Sequence, residues 1–277
     1  MSTHRIELQQ ITLTRVGYVD VPIAPEVAGL TADDFASIPW RAPLWTEGDQ
    51  LRAGAAAWFA DVEGARLVFD PVQAADDVLR ADQEMERAQQ SVIADLFADA
   101  QFPRESVDCL VLTHIEGVGM VAWRNDDGSW SPFFPNARIL VSDVALREFE
   151  ASEPDGEGDL QYEAWHALID QGLVESYADG EVLAPGVRAQ VTGGHCAGHA
   201  IVHFGGANGE AEATLLGHLA VSPVHLATGE CPQQHVDPAA AWSLLRALAE
   251  DGRTLIGPLW PAPGYGRWVD GAFVAGS

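Results

Sequence analysis

Apolar and polar positions alternate along Ile11-Thr-Leu-Thr-Arg-Val-Gly-Tyr18, the period of a strand with one buried face, and this predicts an opening strand within residues 6–23. From 21 to 48 the alternation gives way to Pro22, Pro25, Pro39 and Pro43, with Trp40 and Trp45 between and after them. Prolines at that density favour extended loop, and the tryptophans give it bulky apolar side chains. Residues 21–50 read equally as a lid or rim loop and as a stretch stapled to the core by those rings.

Two short apolar runs, 55–60 and 65–69, flank Asp61-Val-Glu-Gly64 and predict a hairpin that closes at Asp70-Pro71. Helical spacing then runs from 76 to 100, with Val92, Ile93, Leu96 and Phe97 on one face and Pro103 beyond its end. The unbroken apolar run 109–112 reads as a strand buried on both faces, delivering Thr113, His114 and Glu116 to its end. A polar turn between Trp123 and Trp130, a strand at 136–141 and amphipathic helices at 144–151 and 160–173 follow. The second half is predicted as strands 187–192, 200–204 and 213–216 joined by Gly-rich turns, then a helix at 239–250 started by Asp237-Pro238, then a buried strand at 254–257.

Composition narrows the function classes. With 277 residues, 47% of them hydrophobic, and no compositional break, one domain spanning 1–277 is expected. No apolar run is long enough to span a bilayer and no leader-like segment stands out, so the cytoplasm is the expected compartment. Cys109, Cys196 and Cys231 are too scattered for a disulfide framework. Every one of the 15 basic residues is Arg, and the formal charge of −26 repels phosphate backbones and anionic membranes. Nucleic acid and membrane are therefore not expected partners, a small-molecule substrate is, and the oligomeric state stays open, a homodimer included.

Candidate chemistry gathers where strands end. His114 and Glu116 alone read as a hydrogen-bonded pair before a metal site. Further on, Gly193-Gly-His-Cys-Ala-Gly-His199 puts two imidazoles at a sharp strand-to-strand turn, and Gly217-His218 ends the next strand. His225, in Val221-Ser-Pro-Val-His225, is a candidate acid or base if it faces the cleft, and a loop histidine otherwise. Cys196 reads as a reactive thiol or as small buried filler.

Thr-His-x-Glu, Gly-His-x-x-Gly-His, Gly-His and the closing Gly257-Pro-Leu-Trp-Pro-Ala-Pro263, in that order with Phe134-Pro-Asn-Ala-Arg138 between, resemble the metallo-β-lactamase superfamily, in particular its lactonase-like and phosphotriesterase-like hydrolases. The resemblance runs from the hairpin ending in Asp70 to the C-terminus. It implies an α/β fold, a four-layer αβ/βα sandwich of two mixed sheets with helices outside.

The motif itself departs from the family's Thr-His-x-His-x-Asp-His. Glu116 stands where the second His belongs, Val118 where the Asp does and Gly119 where the last His does; His218 takes the place of the bridging Asp and Leu259 that of the final His. On this resemblance His114, Glu116, His195 and His218 surround the first metal and all keep a donor atom, whereas Val118, Gly119 and Leu259 offer none to a second. The implied site is mononuclear, three His and one Glu, for one divalent transition metal such as Fe, Mn, Zn or Ni; a metal-free, vestigial pocket is the alternative. Asp70 and His199 match supporting positions outside the ligand set. The function expected is a metalloenzyme acting on a small, largely apolar molecule, plausible in specialised metabolism, with Glu116 and His225 as catalytic candidates and Lewis-acid or oxygen-dependent chemistry. Ester or lactone hydrolysis by one metal, and a non-catalytic binding protein with a rim of Trp40, Trp45, Trp123, Trp260 and Trp268, are the other readings.

Overall fold

The computed structural model describes residues 3–71, 83–116, 119–155, 159–205, 210–229 and 235–276. The first half supplies β1 (Thr3–Glu7), β2 (Thr12–Ile23), α1 (Ala32–Ala36), β3 (Thr46–Glu47), β4 (Gln50–Val62), β5 (Ala65–Phe69), α2 (Gln83–Asp99) and β6 (Cys109–Val111). A small hairpin, β7 (Ala122–Arg124) and β8 (Trp130–Pro132), precedes β9 (Arg138–Ser142), α3 (Asp143–Glu150), α4 (Leu160–Asp170) and β10 (Val174–Tyr177). The second half holds β11 (Val182–Ala184), β12 (Val187–Val191), β13 (Ala200–Gly205), β14 (Ala211–Leu215), α5 (His225–Thr228), α6 (Pro238–Glu250), β15 (Thr254–Ile256), β16 (Tyr265–Val269) and β17 (Ala272–Ala275).

Among the described residues these strands make two large sheets. The first runs β1-β2-β4-β5-β6-β9-β10 with β3 on β4, antiparallel up to β5 and parallel from β5 to β10. The second runs β11 to β17 in order and is antiparallel except where β14 meets β15, the pair whose crossover carries α6. Both are mixed sheets, as expected.

The period-2 geometry of a strand sorts side chains between the layers. Trp58, Ala60, Leu67, Phe69 and Val111 of the first sheet meet Val187, Ala189, Val202, Phe204 and Leu215 of the second between the sheets. Their neighbours Ala57, Phe59, Val68 and Leu110 point the other way, under Ile93 and Phe97 of α2 and Trp165 and Leu168 of α4. On the far side Ile201, Leu216 and Leu255 pack under Ala241, Leu245 and Leu248 of α6. The order is helix, sheet, sheet, helix, the αβ/βα sandwich, and it explains why the predicted strand 109–112 is apolar throughout: both of its faces are covered.

Several boundaries differ from the sequence expectations. The predicted helix 76–100 is observed from Gln83 to Asp99, its first residues lying outside the described ones. The turn between Trp123 and Trp130 is a true hairpin. The helix expected over 160–173 stops at Asp170, where Gly172 takes a left-handed φ of 70° and bonds back to Ile169. Two of the five expected rim tryptophans are not at the surface: Trp45 and Trp260 are buried edge-to-face against each other, at 1% and 0% exposure, in the α6-side core, while Trp40 and Trp268 pack partly buried against that core and Trp123 against the opposite one. Aromatic area of that size contributes most when removed from water, and these rings serve the layers.

Candidate metal centre

Parallel pairing fixes where the motif begins. Asp70 follows β5 at φ 38°, its N–H donating to Val111 O, so its carboxylate turns towards the end of β6. There it accepts the Thr113 N–H at Oδ1 (2.8 Å) and the Thr113 hydroxyl at Oδ2 (2.7 Å). Burial raises the Asp70 pKa, and its Thr113 bonds and the imidazoles of His114 and His218 oppose the rise. The Tyr177 hydroxyl donates to Leu112 O at 2.8 Å, and Ala200 N donates to Thr113 O at 2.7 Å, tying the loop to both sheets.

The second sheet supplies two more turns. Residues 193–199 fold back through Gly193 and Gly198, both left-handed, with Thr192 N and Gly193 N donating to His199 O. Side chains are excluded here by contact as well as by φ: a Cβ on Gly198 would lie 2.2 Å from Ala145 N in the first turn of α3. Ser142, the N-cap of α3, donates its hydroxyl to Gly198 O at 2.6 Å. The other turn carries His218 just beyond β14, and Gly217 there sits so close to the motif that a Cβ would lie 2.4 Å from Thr113 Oγ1 and 2.8 Å from His199 Nε2.

The three turns bring His114, Glu116, His195 and His218 together, one donor atom from each lying within 4.8 Å of all the others. Glu116 Oε2 is 2.7 Å from both His114 Nε2 and His218 Nδ1. His114 is buried, whereas the Glu116 side chain is 56% exposed, so the cluster opens to solvent on the Glu116 side. Burial pushes the Glu116 carboxyl upward, but its close contacts with His114 and His218, which favour the carboxylate whenever those rings carry a proton towards it, outweigh burial and hold it below the usual carboxylate range. His195, half-buried, is driven down to about 3 by burial and by His114 and His218.

Hydrogen-bond bookkeeping tests whether a cation fits. The Thr113 hydroxyl proton is committed to Asp70, so Thr113 Oγ1 accepts from His114 Nδ1 at 2.9 Å. With Nδ1 carrying one proton, His114 Nε2 faces the Glu116 carboxylate at 2.7 Å either with a second proton or with a bare lone pair. Two lone pairs at that distance repel unless a proton or a metal cation lies between them. Among the described residues, His218 Nε2 and His199 Nε2 are buried without a hydrogen-bond partner, which adds to the electron-rich character of the site. Three imidazoles and a carboxylate are the donor set of a divalent transition metal, and the residues present fit one.

His199 is fully buried, its Nδ1 2.8 Å from Thr192 Oγ1 and its ring 5.4 Å from that of His114, beside the cluster and outside the convergent set. Cys196 stays a thiol, pushed up to about 11 by burial and by Glu116. Gly119 and Leu259 carry no donor in their side chains, and Val118 lies outside the described residues.

His225 does not face a cleft. Its ring is 1% exposed, Nε2 is 2.9 Å from Ala28 O, and burial lowers its pKa to about 4. The short α5 turns it into the α6-side core beside Ala28, Val224 and Leu226, leaving no open side for acid or base work.

One residue escaped the sequence reading. His235 is buried at 5% exposure with its ring centroid 4.9 Å from that of His195 and its Nδ1 3.4 Å from His195 Nδ1. In the sequence it follows Pro-Gln-Gln, with neither an apolar run nor a glycine directly before it. The one sequence signal is its place two residues before the Asp237-Pro238 helix start, which packs against the 193–199 turn: Val236 N donates to His195 O and Asp237 N to Gly194 O.

No protein-family model matches this sequence, and no curated protein matches it. Solved structures do. The chain superposes on AbOPH, a hydrolase in the beta lactamase superfamily, with TM-score 0.71 and 15% identity over 99% of this chain and 97% of the other. For AidC, a dizinc quorum-quenching lactonase, the values are 0.73 and 14% over 99% and 97%. For a probable metal-dependent hydrolase from Staphylococcus aureus they are 0.70 and 14% over 98% and 99%. At such identities the likeness establishes the fold, which is that of the metallo-β-lactamase superfamily.

Proposed function

We propose that this metallo-β-lactamase-fold chain is a mononuclear metalloenzyme that holds one divalent transition metal with His114, Glu116, His195 and His218 and acts on a small, largely apolar molecule. The observation that carries the reading is the convergence of four donors within 4.8 Å of one another, with His114 Nε2 and the Glu116 carboxylate 2.7 Å apart, a contact that needs a proton or a metal cation between them. The absence of any side-chain donor at Gly119 and Leu259 supports one ion rather than two. Bound there, the ion would supply Lewis acidity towards a carbonyl or a water molecule. The chain's own residues do the rest. Asp70 and Thr113 fix the orientation of the His114 ring, the exposed Glu116 carboxylate marks the side from which a substrate arrives, and the buried His199 closes the opposite side to water.

The fold neighbours are hydrolases and a lactonase, so esters and lactones are the first carbonyl substrates to offer. Elemental analysis of protein purified without a metal-binding tag, beside His195→Ala, tests the site. About one equivalent of Zn, Fe, Mn or Ni in the wild type and a much reduced content in the variant is expected. A reconstituted wild type without stoichiometric metal would end the proposal and favour a metabolite-binding protein.

A further inference from the structure

We propose that His235 is a positioning residue: it accepts the Nδ1 proton of His195 and thereby keeps the His195 Nε2 lone pair available to the cluster. Its purpose rests on the metal reading above; its geometry does not. His235 Nε2 lies 3.3 Å from the Leu219 carbonyl. A carbonyl oxygen only accepts, so Nε2 carries the proton of this imidazole and Nδ1 carries a lone pair. That lone pair faces His195 Nδ1 at 3.4 Å, and the nitrogen opposite it must donate. His195 has one proton to give, so its Nε2, on the other side of the ring, is left with a lone pair.

The backbone holds this arrangement from both ends. Val236 N donates to His195 O at 2.9 Å and Asp237 N to Gly194 O at 3.0 Å, a two-bond clamp that keeps the rings abreast. Leu219, whose carbonyl sets the His235 tautomer, directly follows His218 in the same tight turn. The relay therefore starts on the turn of one cluster histidine and ends on another. Asp70 and Thr113 produce the same outcome for His114 by different chemistry, and two unrelated devices converge on rings that both present Nε2 as a lone pair. Groups outside a ligand set that fix its tautomer typically change metal affinity by about 10–100-fold when removed.

The test reads the tautomer directly. Long-range 15N–1H correlation spectra of chelator-treated protein, with His195 assigned by its substitution, should show the wild-type His195 proton on Nδ1. In His235→Ala it should move at least partly to Nε2, and in His235→Asn, whose Oδ1 can accept near the position of the lost Nδ1, it should return. Zinc affinity by competition with a chromophoric chelator should fall about 10–100-fold in the alanine variant and recover in the asparagine variant. Wild-type His195 protonated on Nε2, or a tautomer unchanged in the alanine variant, would overturn the proposal. A wild type that shows the Nδ1 proton but takes up no zinc would overturn the metal reading and leave the positioning role standing. Should His235→Ala fail to fold, the wild-type spectrum alone decides.

Discussion

At the scale of single residues, the buried imidazoles divide by what their second nitrogen meets. His225 has its Nε2 on Ala28 O, and burial lowers its pKa from 6.5 to about 4. Below pH 6.5 the unfolded chain takes up a proton there that the folded chain refuses, so stability falls as the pH drops from about 6.5 to about 4 and levels off beneath that. One such group accounts for roughly 3 kcal/mol over the window. His225→Gln keeps a donor for Ala28 O and does not titrate; urea unfolding from pH 7 to 4 should show its acid loss smaller than wild type by an amount of that order, and an identical pH profile would refute the assignment. His114, Glu116, His195 and His218 each close a strand or follow a glycine, and strand ends are where polar side chains converge. His225 neither closes a strand nor follows a glycine, and it points into the core, where its ring meets Ala28 O, a long-range contact that no local pattern reveals.

Among the elements, glycine turns decide whether the two sheets can approach. Gly217 combines φ 56° with a missing Cβ that would press on Thr113 Oγ1 and His199 Nε2. Gly217→Ala is expected to destabilise the protein by about 1–3 kcal/mol through overpacking, with backbone strain in addition, and to lower metal content by displacing His218. Chemical denaturation with metal analysis on the same samples measures both, and a variant as stable as wild type with full metal content would show that the approach is loose. Long elements with a clear period were legible: the 55–69 hairpin, the helix ending near 100 and the Asp237-Pro238 start all stand where expected. The strands β1, β10, β11, β16 and β17 were not. They are edge strands or pair next to an edge, so their patterns are short and half polar, and tertiary pairing makes them strands. The tryptophans misled for a related reason, since a ring that staples a loop and a ring that lines a pocket have the same sequence surroundings.

For the whole molecule, charge is the dominant feature after the fold. With 41 acidic residues against 15 arginines, like-charge repulsion opposes the compact state at low ionic strength. Raising NaCl from about 10 to 150 mM, where the screening length shortens to about 8 Å, should raise Tm by roughly 2–4 °C, the shift that about 1 kcal/mol produces in a chain of this size. Thermal scans across that range check it, and a flat response would mean that the ion pairs already present neutralise the field locally. The placement of the four donors has a mechanical consequence as well. His114 and Glu116 follow a strand of the first sheet, His195 and His218 follow strands of the second, and so the cluster lies across the seam between the layers. An ion seated there acts as a rivet. It resists the sheets sliding or parting more than it resists the fraying of any helix, and at a thousandfold excess over Kd it adds about 4 kcal/mol to that resistance. The stiffness of the sandwich then depends on its occupant, and strands far from the site, because they belong to the layers being joined, would exchange their amide hydrogens more slowly when it is filled.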